Sequence, residues 1–160
     1  MSATIRESII AELTDLLEDC AWTSVTAPSV HRGRQVFDPD TEPPPIITVL
    51  PRSEENQNTD YGMHDLTMRV DIICLERMSG QNPSELGEAI LGEMIRSVFG
   101  YEAAGPTRVG GMTDTHADQI IYRSGGIDAY PDELGQQILH VGISIDIRYQ
   151  TNAGDPYSNI

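Results

Sequence analysis

The sequence predicts an α+β domain in which two helices cover one face of a mainly antiparallel or mixed β-sheet. Two stretches carry apolar residues at helical spacing, and each begins with a helix-capping signal. Other stretches alternate apolar and polar residues, as strands do when one face is buried. The order of helix, strands, helix and strands, without a repeat of fixed period, favours this class.

The first helix is predicted to begin near Thr4 and to end around Cys20. Thr4 is followed three residues later by Glu7, which is the spacing of a capping box. Acidic residues alternate with an apolar stripe made of Ile5, Ile9, Leu13, Leu16 and Leu17. After this helix, Arg32-Gly33-Arg34 is predicted to lie in a short extended or turning stretch.

Prolines frame the next part of the chain. The segment from Asp38 to Pro45 can form neither a helix nor a central strand, so it is predicted to be a surface connector. Ile46 to Leu50 is a β-branched run closed by Pro51, which predicts a short strand. Arg52 to Gly62 contains no aliphatic residue, and this predicts a long exposed loop.

A long strand and the second helix follow. The strand is predicted from His64 to Leu75, because every second residue from Leu66 to Cys74 is apolar. The helix signal comes next, with Asn82 as cap and Pro83 at the first helical position. Gly100 is the residue expected to end this helix in the left-handed conformation.

The last third of the chain ends in the clearest strand. Tyr101 to Asp118 is predicted to be a loop, and Gln119 to Arg123 a short strand ended by Ser124-Gly125-Gly126. Beyond Gly135 the strand alternates, with Leu139, Val141, Ile143, Ile145, Ile147 and Tyr149 on one face and His140, Gly142, Ser144, Asp146 and Arg148 on the other. The tail from Thr151 is expected to fray or to order against a partner.

The charge of the chain excludes several classes of partner. It has 10 basic and 25 acidic residues, a formal net charge of -15, and arginine as its only basic residue apart from histidine. Such a surface repels phosphate backbones and anionic lipid, so we expect neither bulk nucleic-acid binding nor a membrane partner. No apolar run approaches the roughly 18 residues of a membrane span, and no secretory signal is visible.

No combination of residues predicts catalysis. The sequence has neither a phosphate-binding glycine loop nor a nucleophile elbow, and the pairs Gly110-Gly111 and Gly125-Gly126 favour turns. The alternating Asp114, His116 and Asp118 could converge on a metal ion, although an acidic, glycine-rich loop without a metal is the favoured explanation. We therefore expect no enzyme activity and no cofactor. The two cysteines, Cys20 and Cys74, are expected to be buried free thiols.

The polar face of the last strand offers candidate contacts between subunits. His140 is expected to make a cross-strand or subunit contact rather than to act in catalysis. Asp146 and Arg148 project from the same face, two residues apart. They form either an exposed pair of little energetic value or a subunit contact, in which arginine is enriched.

The ending from Ile143 to Pro156 resembles the C-terminus of phage tail terminator proteins, of the minor tail protein U type of long-tailed phages. It is an alternating apolar strand that runs into a tyrosine, a threonine and then Asp155-Pro156. Further landmarks follow in the same order: the N-terminal amphipathic helix, Arg32-Gly33-Arg34, the strand between Pro45 and Pro51, the long strand through Asp71, and Leu86-Gly87 with Ile90 in the second helix. The long segment from Tyr101 to Asp118, the Pro131-Asp132 turn and the tail after Pro156 depart from the pattern.

The resemblance implies a single domain over residues 1–156 with a short tail at 157–160. It implies a homo-oligomeric ring, typically a hexamer, that is assembled in the bacterial host cytoplasm and remains in the virion. This ring caps the head-proximal end of the tail tube, stops its polymerisation and presents a surface to head-completion or neck proteins. DNA passes through the bore without specific binding. Candidate contacts with the next subunit or the tube are Arg32, Arg34, Arg69, His140, Asp146, Arg148 and Asp155.

Three alternatives stay open at this point. The chain could be another neck or tail-completion protein of similar size. It could be a small acidic domain that interacts with host proteins or regulates them. The third alternative is an enzyme that uses the Asp114, His116 and Asp118 string.

Overall fold

Two helices and five strands make up the part of the chain that the computed structural model describes, residues 2–38, 41–57, 62–100, 116–131 and 137–158. In chain order the elements are α1 (Ile5–Asp19), β1 (Ser29–Arg32), β2 (Ile46–Asn56), β3 (Met63–Arg77), α2 (Pro83–Phe99), β4 (Gln119–Pro131) and β5 (Gln137–Asn152). The strands form one sheet in the order β1-β2-β3-β5-β4. All neighbours are antiparallel except β1 and β2, so the predicted α+β class with a mixed sheet is confirmed.

The helix ends follow the capping signals in the sequence. The Thr4 hydroxyl accepts a hydrogen bond from the Glu7 amide at 3.1 Å and caps α1. Asn82 Oδ1 accepts one from the Ser84 amide at 2.9 Å and caps α2. Gly100 ends α2 with a φ of 62°, a conformation that favours glycine. The predicted boundaries of both helices are thus confirmed within a residue.

Both helices pack against the same face of the sheet and enclose one hydrophobic core. The core takes alternate residues of the three central strands, from Ile47 and Val49 in β2, through Met68 to Cys74 in β3, to Leu139 to Tyr149 in β5. Both cysteines are free thiols; Cys74 is fully buried, whereas Cys20 is only half-buried. Burial raises the pKa of the Cys74 thiol to about 12, so it stays protonated at neutral pH.

The polar stretch after Pro51 is not a loop at its start. Arg52 to Asn56 continues β2, and Glu54, Glu55 and Asn56 pair with β3 after a register shift that follows Pro51. These side chains are exposed, so the strand needs no apolar residues here. Pairing to β3 satisfies its backbone, and the irregularity accommodates the proline. The remainder of the predicted loop includes residues 58–61, which lie outside the described part of the chain.

The predicted glycine break at Ser124-Gly125-Gly126 is also wrong. The chain continues through it as β4, which pairs with β5 from Gln119 to Pro131 and shifts register between Tyr122 and Ser124. Both glycines are therefore strand residues rather than a turn. The long partner strand β5 supplies the pairing, and the register shift lies at Arg123, before the glycines, in an edge strand where bulges are common.

The C-terminal segment folds back on its own chain instead of fraying. The Ile5 amide donates a hydrogen bond to the Pro156 carbonyl at 2.9 Å, and the Asn152 amide donates one to the Ser158 carbonyl at 3.0 Å. The Asp155 carboxylate accepts hydrogen bonds from Ser158 Oγ at 2.7 Å and from the Tyr157 amide at 3.0 Å. The expectation of a frayed tail is thus wrong for residues 151–158, because one backbone bond to the start of α1 and several bonds within the segment hold it.

Helix α2 approaches β4 closely through Gly87. A Cβ at this position would lie 2.6 Å from Ile127 Cγ2, whereas a Cβ at Gly92 in the same helix would meet nothing within 4 Å. We expect Gly92→Ala to raise the free energy of unfolding by up to about 1 kcal/mol, since alanine favours helix. The free energy of unfolding of Gly87→Ala is expected to lie at least about 1 kcal/mol below that of Gly92→Ala, because overpacking against Ile127 offsets the gain in helix propensity.

Urea unfolding of the two variants tests this contact, with each serving as the control of the other. Equal free energies of unfolding for Gly87→Ala and Gly92→Ala would show that Ile127 moves aside at no cost. In that event the position of α2 on the sheet would not depend on Gly87.

Candidate subunit interface

The sheet face opposite the helices carries a band of charged side chains across four strands. Its arginines are Arg52 in β2, Arg69 in β3, Arg123 in β4 and Arg148 in β5. Its carboxylates are Asp65 and Asp71 in β3 and Asp146 in β5. We call these seven residues the arginine–aspartate face.

Asp146 is the centre of this face and holds two arginines from different strands. Its Oδ1 accepts a hydrogen bond from Arg69 Nε at 2.9 Å, and its Oδ2 accepts one from Arg123 Nε at 2.6 Å. The Asp146 side chain is 5% exposed, whereas each arginine side chain is 50% exposed. The carboxylate thus lies beneath two guanidinium groups that reach the surface.

The environment of Asp146 sets its ionisation. Burial alone would raise the pKa of this carboxyl, but the hydrogen bonds and charges of Arg69 and Arg123 outweigh burial and lower the pKa below the usual aspartate value. Asp146 is therefore ionised at neutral pH and committed to its two partners. This arrangement holds the arginines in place and leaves the carboxylate unsuited to act as a general base.

Further pairs extend the face on both sides. Arg52 Nε contacts Asp71 Oδ2 at 2.9 Å, and Ser144 Oγ donates a hydrogen bond to Asp71 Oδ1 at 2.5 Å. Arg148 NH2 contacts Asp65 Oδ2 at 3.1 Å. Pairs of such exposure contribute little to stability, about 0–1 kcal/mol each. Their main effect is to fix where the guanidinium groups lie.

An apolar groove occupies the other end of the same face. It encloses about 240 Å³ and is lined by residues of the connector and of the sheet, among them Phe37, Ile46, Leu75 and His140. Val36 also lines the groove and is 83% exposed. Burial lowers the pKa of His140, while the nearby Asp128 opposes that shift, so His140 is neutral at pH 7.

The predicted contact residues do not all come together. Arg69, Asp146 and Arg148 share the arginine–aspartate face, whereas His140 lines the apolar groove and Asp155 belongs to the C-terminal turn.

Arg32 and Arg34 lie at the β1 edge of the sheet, away from this face. Arg32 binds Glu7 of α1 through two contacts of 2.7 Å, which is the strong bidentate geometry of an arginine and a carboxylate. Arg34 binds Glu42 at 2.8 Å through NH2, and its guanidinium carbon lies 4.6 Å from the centre of the Phe37 ring.

The sequence did not predict Arg52, Arg123, Asp65 and Asp71 as members of the arginine–aspartate face. Ser144 belongs to the predicted polar face of the last strand, but its hydrogen bond to Asp71 depends on strand register. Arg123 comes 23 residues before Asp146, and Arg69 comes 77 residues before it. The only local signal was the recurrence of charged residues on the outer faces of predicted strands.

Neither a metal centre nor a membrane span is found in the described residues. Within residues 2–38, 41–57, 62–100, 116–131 and 137–158, no three His, Cys, Asp or Glu side chains are grouped to hold a metal ion. Asp114 lies outside this part, so the proposed string with His116 and Asp118 stays untested. No helix among the same residues is long and apolar enough to cross a membrane.

The chain was compared with protein-family models, with curated proteins and with solved structures. No protein-family model matches the sequence, and no curated protein matches it. Among solved structures, a chain from a structure described as "Virion of native gene transfer agent (GTA) particle" aligns over 92% of this chain and 92% of its own length. The identity is 9% and the TM-score is 0.46.

Proposed function

We propose that this protein is a structural virion subunit of the tail terminator type, which forms a ring on the head-proximal end of a tail tube. The sequence resemblance over Ile5 to Pro156 points to this class. The structural observation that supports it is the arginine–aspartate face, a sheet surface that no helix of the described chain covers. Arginines held in place beforehand lose little freedom on binding, which suits a surface that docks onto another protein.

A structural role accords better with these side chains than catalysis does. Asp146, Asp71 and Asp65 are each engaged by an arginine, and the lowered pKa of Asp146 keeps it from exchanging protons near neutral pH. We therefore propose a structural protein, with neither an enzyme activity nor a cofactor.

Each subunit of the proposed ring contacts its neighbouring copies, the tail tube and a neck protein. A closed ring needs two different surfaces on each subunit, one of which meets the other on the next copy. The helix side and the helix-free side of this domain are two such surfaces. The Arg32 and Arg34 pairs at the β1 edge, His140 in the apolar groove and Asp155 in the C-terminal turn are proposed contacts with a neighbour, the tail tube or a head-completion protein.

The excess of acidic residues suits a ring through which DNA passes. DNA must slide through the bore, and an acidic lumen repels phosphate groups, so the DNA does not adhere. We propose that part of the net charge of -15 lines this bore. A ring structure with a neutral or basic bore would contradict this part of the proposal.

Electron microscopy of tails produced with and without the protein tests the main proposal. Tails made without it are expected to be overlong, because nothing stops polymerisation of the tube. Adding purified protein to tubes should place a ring at one end. Tails of normal length that fail to join heads would instead identify a neck or tail-completion protein, and a chain that stays monomeric and ignores tubes would identify a host-interaction domain.

A further inference from the structure

We propose that the arginine–aspartate face docks onto the C-terminal end of α1 in a second copy of the chain. This inference rests on the proposed ring and names the two surfaces that form it. The receiving surface consists of Asp15, Glu18 and Asp19, which we call the acidic end of α1.

The acidic end of α1 is unfavourable for the isolated subunit. Three carboxylates lie in the last part of a helix, where the helix dipole is negative and basic side chains are preferred. The last turn contains no basic residue, and all three carboxylates are exposed. Among the described residues, none of the three forms an ion pair. A cation from outside the subunit would reduce the mutual repulsion of the three carboxylates. It would also interact favourably with the negative end of the helix dipole.

The arginine–aspartate face is less acidic than the helix side of the subunit. Its four arginines meet Asp65, Asp71, Asp146 and the neighbouring Glu55, whereas α1 and α2 together carry eight acidic residues and two arginines. Arg69 and Arg123 bind Asp146 mainly through Nε, and a guanidinium has five N–H donors, so donors remain for a second carboxylate. Their 50% exposure places those donors at the surface.

A second copy fits this face better than nucleic acid does. A phosphate backbone presents negative charge only and would meet Asp65 and Asp71 as well as the arginines. The three carboxylates of the acidic end of α1 lie within five residues, a rise of about 6 Å along the helix, whereas the charge of a phosphate backbone is continuous. The two surfaces lie on opposite sides of the subunit, because α1 packs on the other face of the sheet. Their contact is therefore heterologous, and repetition with a closing rotation produces a ring.

The double variant Asp15→Arg/Glu18→Arg tests this docking. Self-association, followed by sedimentation velocity at low salt and by ring formation on tail tubes, is expected to weaken at least tenfold. The melting temperature of the monomer is expected to rise, since positive charge suits a helix C-terminus. The control Glu85→Arg/Glu88→Arg reverses two exposed acids of α2 and is expected to assemble like the wild type, although its melting temperature should fall because Glu85 lies in the first turn of the helix.

A mixing experiment with the wild type and a second variant test the docking further. The Asp15→Arg/Glu18→Arg chain keeps its arginine–aspartate face, so it should bind the wild type yet block ring closure when mixed in equal amounts. Arg123→Gln removes one arginine while Arg69 still pairs with Asp146, and it should also weaken association. Raising the salt concentration should weaken wild-type association.

The outcomes separate this inference from the proposed function. If wild-type protein forms rings on tubes and Asp15→Arg/Glu18→Arg does so equally well, the docking is wrong and the tail terminator proposal stands. Equal loss in the α2 control would also overturn the docking, because net charge alone would account for the effect. If the wild type fails to bind tubes at all, the proposed function itself fails.

Discussion

Tyr149→Ala is expected to lower the free energy of unfolding by about 3–5 kcal/mol, the usual cost of removing a buried aromatic side chain. Tyr149 is 1% exposed and belongs to the hydrophobic core at the end of β5, opposite Leu66 of β3. Truncation would leave a cavity where β5 and β3 meet the start of α1. A loss of this size is a large fraction of the total stability of a small domain. Urea unfolding followed by circular dichroism provides the measurement.

Tyr149→Phe is the matched control for this prediction. The Tyr149 hydroxyl donates a hydrogen bond to Glu54, whose side chain is 29% exposed and also contacts Arg6 at 3.2 Å. Phenylalanine keeps the ring and removes only that bond, so the expected loss is about 0.5–1.5 kcal/mol. Equal losses for Tyr149→Ala and Tyr149→Phe would mean that the hydrogen bond, rather than packing, makes this tyrosine necessary.

Asp146→Asn is expected to lower the free energy of unfolding by about 1.5–3 kcal/mol, the range for hydrogen bonds to a charged group. The neutral amide would leave Arg69 and Arg123 close together without the carboxylate that neutralises them. Asp65→Asn is the matched control, because Asp65 is 23% exposed and Arg148 is its only ion-pair partner among the residues that the structure describes. Its expected loss is at most about 1 kcal/mol. Comparable losses for the two variants would show that burial of Asp146 adds nothing to its ion pairs.

The same carboxylate predicts a dependence of stability on pH. The folded-state pKa of Asp146 lies below the value of about 3.9 typical of an unfolded chain. Its contribution is therefore complete above that value and is lost as the pH falls through the folded-state pKa. The difference in stability between the wild type and Asp146→Asn should be largest at pH 6 to 7 and should shrink below about pH 4. A difference that persists unchanged at pH 3 would contradict the lowered pKa.

The proposed ring and the folding of the subunit depend on the same residues to different degrees. Asp146 contributes to stability and also positions the two arginines, so its variants affect folding and assembly together. The acidic end of α1 contributes nothing favourable to the subunit, and its variants should separate the two effects. A gain in monomer stability with a loss of assembly is a result that a purely structural role of these acids would not produce.

The sequence alone predicted the elements whose signals are local. Thr4 and Asn82 cap the helices, Gly100 ends α2, and the alternation from Leu139 to Tyr149 defines the buried face of β5, all as predicted. These features depend on residues within a few positions of one another. Local hydrogen bonds and a repeat of two or 3.6 residues therefore suffice to encode them.

The tertiary structure alone decided where polar stretches become strands and which charges meet. Arg52 to Asn56 and the glycines of β4 lack a strand signal of their own, and pairing to β3 and β5 orders them. The register of β3, β5 and β4 brings Arg69, Asp146 and Arg123 together from positions far apart in the chain. From sequence, charged residues on a strand indicate only a solvated face. Their partners cannot be predicted, because strand register determines which charged residues meet. Composition revealed the scarcity of positive charge, and the fold placed four of the ten arginines on one face of the sheet.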